Sequence, residues 1–401
     1  MTSCEARLYR VALPMRIAFD HPAARRRTSD SLVLRLTVDG ADGIGECAPR
    51  RYVTGETSDG VAHALRRHPM EVLFDRLVRG EPAALLAELR EQGFTKTFGG
   101  PRPPADGSGN NLLCLLETAV LDLLTRRLGL PAGAAVSTAL PRREVRVSQV
   151  LDLSMDVGEF LDTRGPFHFV KVKASDDLDR DVRTVAAIRD RLGPDVPVMV
   201  DANMSWTPAG AARHAERLRE AGAGYVEEPL PPRSWRALRD LRRATGLRVM
   251  LDESVCTLAD ARQAATAEAC DALNVRVAKN GGLLASARLV AFARSAGLGF
   301  QIGVQVAETG PLINAGRALA LRCPDALAVE AGQSDRFFPE MIVSPPPVVD
   351  RIANTVAPVT GPGFGLRLNE RAEPWAALSW TADGWRSVAP SHPAPVEESA
   401  L

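Results

Sequence analysis

Three acidic residues and two lysine positions stand at the C-terminal ends of short apolar runs, and their types and spacing suit metal-enolate chemistry. The runs are Phe169-Val170-Lys171-Val172-Lys173, Val196 to Asp201, Tyr225-Val226-Glu227, Val249 to Asp252 and Leu273 to Lys279. Parallel strands joined by crossover helices repeat on about this scale. A closed barrel of such units brings every strand's C-terminal end to one face. Asp201, Glu227 and Asp252 would then converge. Three hard oxygen ligands with no cysteine or histidine beside them suit Mg²⁺ or Mn²⁺ better than zinc.

The segments around these runs must position them. Before the repeat, Ser31 to Val38 alternates, with Leu32, Leu34 and Leu36 on one face, and Asp39-Gly40 turns it into a hairpin through Gly43 to Cys47. Residues 58–92 read as helical, and 99–109, rich in Gly and Pro, as a mobile linker. A helix is expected over 112–128, stopped by Gly129 and Pro131. Thr207 and Pro208 read as the cap and first turn of another helix, which ends near Gly222. Strands at 299–304 and 326–330 continue the period, and the count reaches eight if 145–151 is the first. From Pro345 the pattern changes and a strand near 366–368 is expected to return to the N-terminal part. Residues 390–401 read as a disordered tail.

Composition bounds the partners. The 49 basic and 49 acidic residues of this 401-residue chain balance and intermingle, which argues against nucleic acid and anionic membranes. No stretch of 18 uncharged apolar residues occurs, so a cytoplasmic protein is expected. The six cysteines lack paired spacing and are expected to be free thiols, Cys256 packing in the core.

The ordered set Lys171-Val172-Lys173, Asp201-Ala202-Asn203, Val226-Glu227-Glu228-Pro229, Leu251-Asp252-Glu253-Ser254 and Lys279-Asn280-Gly281-Gly282, with Gly45-Glu46-Cys47-Ala48-Pro49 ahead of it, resembles the enolase superfamily. The resemblance is to its muconate lactonizing enzyme subgroup, with dipeptide epimerases and o-succinylbenzoate synthases. It implies an α/β fold, a modified (β/α)₈ barrel of the (β/α)₇β kind, under an α+β capping domain made by both chain ends. The expected division is 1–111 cap, 112–344 barrel, 345–389 returning to the cap and 390–401 tail. Mg²⁺ would be held by Asp201, Glu227 and Asp252, and the protein would be a homo-oligomer acting on a small carboxylate.

The residues support that reading physically. A proton leaving the carbon beside a carboxylate creates a dianionic enediolate, which a divalent cation must neutralise. A lysine acts as base near neutral pH only if its pKa falls. Lys171 shares a strand face with Lys173 and is expected to depress it. Lys173 and Lys279 are assigned as opposed acid/bases, which permits inversion of a stereocentre. Asn203, Glu228 and Glu253 are expected to support the ligands, and Glu308 matches a glutamate near the second lysine. Glu330 ends the eighth strand, but Ala328 stands where many dipeptide epimerases have a second acid that holds the substrate ammonium. Phe19 to Thr28 and Tyr52 to Thr57 match two specificity loops, so Phe19, Arg25, Arg26, Arg27 and Tyr52 are candidate substrate contacts. The expected activity is an epimerase or racemase of a dipeptide or N-acyl amino acid. Alternatives are a cycloisomerase, a β-eliminating lyase, a Schiff-base aldolase and a non-catalytic binding protein.

Overall fold

An eight-stranded parallel sheet curls around the residues of interest. Its strands are β1 (Gln149–Leu151), β2 (Val170–Lys173), β3 (Val198–Asp201), β4 (Tyr225–Glu227), β5 (Arg248–Leu251), β6 (Ala272–Val275), β7 (Gly299–Ile302) and β8 (Ala328–Val329), hydrogen-bonded in chain order. The Ser148 amide donates to the Val329 carbonyl at 2.8 Å and joins the last strand to the first. The computed structural model describes residues 3–21, 24–100 and 104–388, with the backbone alone at 19–21 and 24–26. The expected tail at 390–401 lies outside the described residues.

The two-residue period of a strand explains what the barrel encloses. Phe169, Met199, Tyr225, Met250, Ala272 and Ala328 form a buried apolar cluster of their own, apart from the main core. Two residues further along each run stand Lys171, Asp201, Glu227, Asp252, Asn274 and Glu330, all buried. The barrel interior therefore has an apolar floor with a polar storey directly above it. The intervening residues, such as Val170, Val172, Val200, Val226, Leu251 and Leu273, belong to the main core with Val185, Ile188, Leu218 and Leu238 of the helices. The Thr207 hydroxyl accepts from the Gly210 amide and starts Pro208–Glu220, as its sequence predicts.

A five-stranded antiparallel sheet stands apart from the barrel, in the order 384–387, 376–381, 4–11, 31–38, 41–47. Ala376–Thr381 pairs with Cys4–Val11, so the end of the chain returns to its beginning. Helix Asn110–Arg127 lies so close to the strand Ala41–Cys47 that a Cβ on Gly43 or Gly45 would meet a helix carbonyl at 2.3 Å. Only glycine fits either place.

Three expectations need correction. The strand expected near 366–368 is Arg367–Leu368, but it pairs with Val343–Ser344 and not with the N-terminal part, to which Ala376–Thr381 returns instead. The run 145–151 divides: Val145–Arg146 pairs antiparallel with Thr355–Val356, and only Gln149–Leu151 enters the barrel. The linker at 99–109 is in part a fitted segment. Ser108 donates to the Asp106 carboxylate, the Asp106 carbonyl accepts from Arg233, and a Cβ on Gly107 would collide with Cys256. Residues 101–103 lie outside the described residues.

Glu46 ties the two parts together. Its buried carboxylate accepts from the Thr309 amide at 2.6 Å, the Thr309 hydroxyl at 2.9 Å, and the Gly310 and Leu312 amides at 3.1 and 3.0 Å. These donors are the N-terminal turn of the helix Pro311–Ala320, which has no cap of its own. Glu46→Ala strands several buried donors, each costing about 1–3 kcal/mol. The expected result is a lowered denaturant midpoint, with Glu46→Gln falling less. An unchanged midpoint would remove Glu46 from this role.

Candidate active site

The polar storey is a row of alternating charges across the barrel mouth. Lys173 Nζ donates to Asp201 Oδ2 at 2.6 Å and to Asn203 Oδ1 at 2.9 Å. Lys171 Nζ lies 3.8 Å from Asp201 Oδ2, 2.7 Å from Glu227 Oε2 and 2.6 Å from Glu330 Oε1. Arg276 stands 3.7 Å from Glu227 Oε1 and also pairs with Asp252 Oδ2. Lys279 Nζ donates to Asp252 Oδ1 at 2.8 Å and to the Asp252 and Asn274 carbonyls, both at 2.7 Å. Lys173 and Lys279 therefore occupy opposite ends of the row.

Neighbouring groups fix its members. Glu228 accepts from the Asp252 amide at 2.7 Å, the Ser254 amide at 3.1 Å and the Ser254 hydroxyl, which pins the chain as it leaves β5. Asn274 Nδ2 donates to Glu227 Oε1 at 2.7 Å. Several residues that leave strand ends here have left-handed backbone: Asn203, Met204, Glu228, Ala307 and Ala331. For residues other than glycine this costs of order 1 kcal/mol each, and such strain collects at functional faces.

Burial and charge set the protonation of the row. Burial lowers Lys171, but Glu227, Glu330 and Asp201 outweigh it and hold its ammonium above the ordinary lysine value. At Lys279 burial wins, with Arg276 adding to it, and the ammonium comes down to about 8. Burial pushes Glu228 up to about 7 against its Ser254 bonds. It pushes Glu253 up to about 8, with Glu228, Asp201 and Glu227 repelling further.

Carboxyl groups outnumber cations in and around the row. Asp201, Glu227, Glu228, Asp252, Glu253 and Glu330 meet Lys171, Lys173, Arg276 and Lys279, so six carboxyl groups face four cations. Among the described residues, both oxygens of buried Glu253 lack a hydrogen-bond partner, as does Asn203 Nδ2. Burial holds Glu228 and Glu253 up toward neutrality; a divalent cation beside them would favour their ionised forms, and hard carboxylate oxygens are its preferred donors. The residues fit such an ion. As they stand, the carboxylates turn toward Lys171, Arg276 and Lys279, and no three acidic, histidine or cysteine side chains among the described residues surround a common point.

A cavity opens above the row. It is lined by Lys171, Lys173, Arg276 and Glu330 at its base, and by Ile17 and Tyr52 from the N-terminal part. Asp201, Glu227, Asp252 and Lys279 lie beneath this surface, fully buried with Glu228 and Glu253. Glu308 is buried near Glu46, accepts from the Gln305 amide at 2.7 Å, and is not joined to Lys279 by any hydrogen bond or ion pair among the described residues. Burial and the Glu46 charge hold its carboxyl well above the usual range. Arg27 is exposed, and the side chains of Phe19, Arg25 and Arg26 lie outside the described residues. Sequence reasoning passed over Arg276 and Asn274, although a charged residue inside the apolar run 273–279 is the signal that singled out Lys171. Arg164 and Arg336, also on the cavity wall, carry no such signal because they stand in connecting segments.

The chain belongs to a known group, the enolase C-terminal domain-like family, whose model matches residues 153–372. A curated relative, the L-Lys-D/L-Arg epimerase of Methylococcus capsulatus, is 30% identical over 317 residues, covering 78% of this chain and 83% of its own. The N-succinylamino acid racemase of an Amycolatopsis species is 27% identical over 377 residues, 90% of this chain and 93% of its own. Among solved structures, the N-succinyl Arg/Lys racemase of Bacillus cereus superposes with a TM-score of 0.80 at 22% identity, over 94% of this chain and 98% of that one.

Lys171 is the hinge of the row's electrostatics. Lys171→Met takes from buried Glu330 its ion-pair partner and leaves Glu227 with Arg276 at 3.7 Å as its ion pair among the described residues, and breaking a buried pair in this way costs about 3–5 kcal/mol. Urea unfolding should show that loss, and adding Glu330→Gln should recover part of it. Additive losses in the double variant would contradict the coupling.

Proposed function

We propose that this chain is a racemase or epimerase of N-acylated amino acids that works through an enediolate. The observation that carries the reading is the placement of Lys173 and Lys279 at the two ends of one row of buried carboxylates. A substrate Cα held above the middle of that row has one lysine on each side. Whichever lysine is neutral takes the α-proton, and the protonated one delivers a proton to the opposite face, so configuration inverts. The other residues orient and enclose: Glu228 and Asn274 hold Asp252 and Glu227, while Tyr52 and Ile17 cover the cavity and limit water.

Asp201, Glu227 and Asp252 would hold Mg²⁺, or Mn²⁺ in its place. When bound, the ion supplies positive charge to the substrate carboxylate as negative charge develops there. The family is one in which a lysine or histidine base works beside such an ion.

An N-acyl substrate suits the eighth strand better than a free dipeptide. Glu330 is held by Lys171 at 2.6 Å and by the Val304 amide at 2.8 Å, and Ala328 belongs to the apolar floor. No free carboxylate is left there to receive an ammonium group.

Two experiments test the proposal. Chelator treatment should abolish turnover and Mg²⁺ or Mn²⁺ restore it, with Asp252→Asn weakening metal binding; full activity in verified metal-free protein would falsify the metal assignment. Independently, proton exchange at Cα in D₂O, followed by NMR, should persist for one enantiomer in Lys173→Ala and for the other in Lys279→Ala, while net inversion drops by about 10³-fold or more in both. Exchange of both enantiomers in one of these variants, with a lactone or alkene as product, would instead indicate one-base chemistry.

A further inference from the structure

Three arginines gather where the cavity meets the segments after β1 and β8. Arg351 is fully engaged: it pairs with both oxygens of Asp335 at 2.6 Å and donates to Gln333 Oε1 at 2.6 Å. Arg164 and Arg336 line the cavity, and neither guanidinium has a hydrogen bond or ion pair among the described residues. Both are partly buried, and each carries the repulsion of its cationic neighbours in addition to desolvation. The two acids on the same wall are already occupied. Asp152 accepts from the Ser154 amide and hydroxyl, at 2.9 and 2.5 Å, and Glu330 is bound to Lys171. The far wall thus presents two half-buried forks that Asp152, Glu159 and Asp335 attract from nearby but that no carboxylate among the described residues bonds.

We propose that Arg164 and Arg336 form a subsite for a second carboxylate of the substrate, so that the preferred substrate is an amino-acid derivative with an acid group besides the α-carboxylate. The inference rests on the racemase reading for its reaction but not for its binding. Planar guanidinium groups match a carboxylate bidentately, and an unpaired pair beside a cavity is stabilised by such a ligand. The second acid has two chemical sources, an acyl group ending in a carboxylate or an acidic side chain.

The test compares matched acids and amides. N-succinyl-L-leucine is set against its succinamoyl amide, and L-Ala-L-Glu against L-Ala-L-Gln, with wild type, Arg164→Gln, Arg336→Gln and Arg336→Lys. The acid of one series should be favoured, and Arg336→Gln should raise its KM about tenfold or more with kcat little changed and the amide unaffected. Arg336→Lys should fall between. The series that responds identifies the source of the acid. Equal use of acid and amide, or equal losses for both in the variants, overturns the subsite while leaving the racemase reading intact. Calorimetry with the Mg²⁺-loaded protein gives a readout without turnover: glutarate should bind more tightly than butyrate, and Arg336→Gln should erase the difference. If no substrate exchanges but that difference is present, the subsite stands and the racemase reading fails. If glutarate binds no better than butyrate, the subsite is wrong whatever the turnover.

Discussion

The constraint on which the rest depends is the burial of the charged row from Lys173 to Lys279. Ions removed from water lose solvation worth several kcal/mol each even after relaxation, and a buried pair often contributes no net stability. The row persists because each ion from Lys173 to Lys279 faces between one and three of opposite sign, and because the Asn203 backbone amide and the Asn274 side chain bind oxygens of Asp201 and Glu227. What it provides is position. A side chain held by two partners at once, as Lys171 is by Glu227 and Glu330, has few alternatives.

Such a row needs a rigid container, and the barrel provides one by layering. The floor of Phe169, Met199, Tyr225, Met250, Ala272 and Ala328 closes the interior below, and the helices bury the outward strand faces. Above, Glu46 from the antiparallel part seizes the start of Pro311–Ala320. In the same way, Glu117 of the long helix Asn110–Arg127 accepts from the Leu284 amide at 3.0 Å at the start of Leu283–Ser295. A Cβ on Gly282 would come within 2.3 Å of that carboxylate, which is why glycine stands there; Gly281 before it is set by its own left-handed backbone against Asn110. The polar ties that align the cap with the barrel thus end beside the chemistry.

Much of this was legible in the chain because period-two alternation and strand-end polarity are local signals. Lys171, Lys173, Asp201, Glu227, Asp252 and Lys279 announced themselves as charges inside or at the end of apolar runs. The helix at 208–220 did so through Thr207 and Pro208. What was not legible was contact. Arg276 lies in one of the same runs, yet its bridging of Glu227 and Asp252 depends on three strands being neighbours. Glu308 matched a glutamate near the second lysine; among the described residues its carboxylate is joined to the Gln305 amide and not to Lys279, and the charge of Glu46 acts on it. The division of 145–151 was hidden because Thr355–Val356, far along the chain, claims its first two residues.

The pairing of Ala376–Thr381 with Cys4–Val11 has a consequence for how the polypeptide is made. During synthesis the first strand emerges with one edge that only the last part of the chain can cover, and Trp380 stacks on Phe74 at 4.7 Å to complete the apolar interior beneath it. At about 5–20 residues per second, ribosomes leave that edge open for roughly 20–75 s. An open edge invites pairing with other chains. The charged residues Glu5, Arg7 and Arg10 of that strand are suited to discourage such pairing until the C-terminal strand arrives.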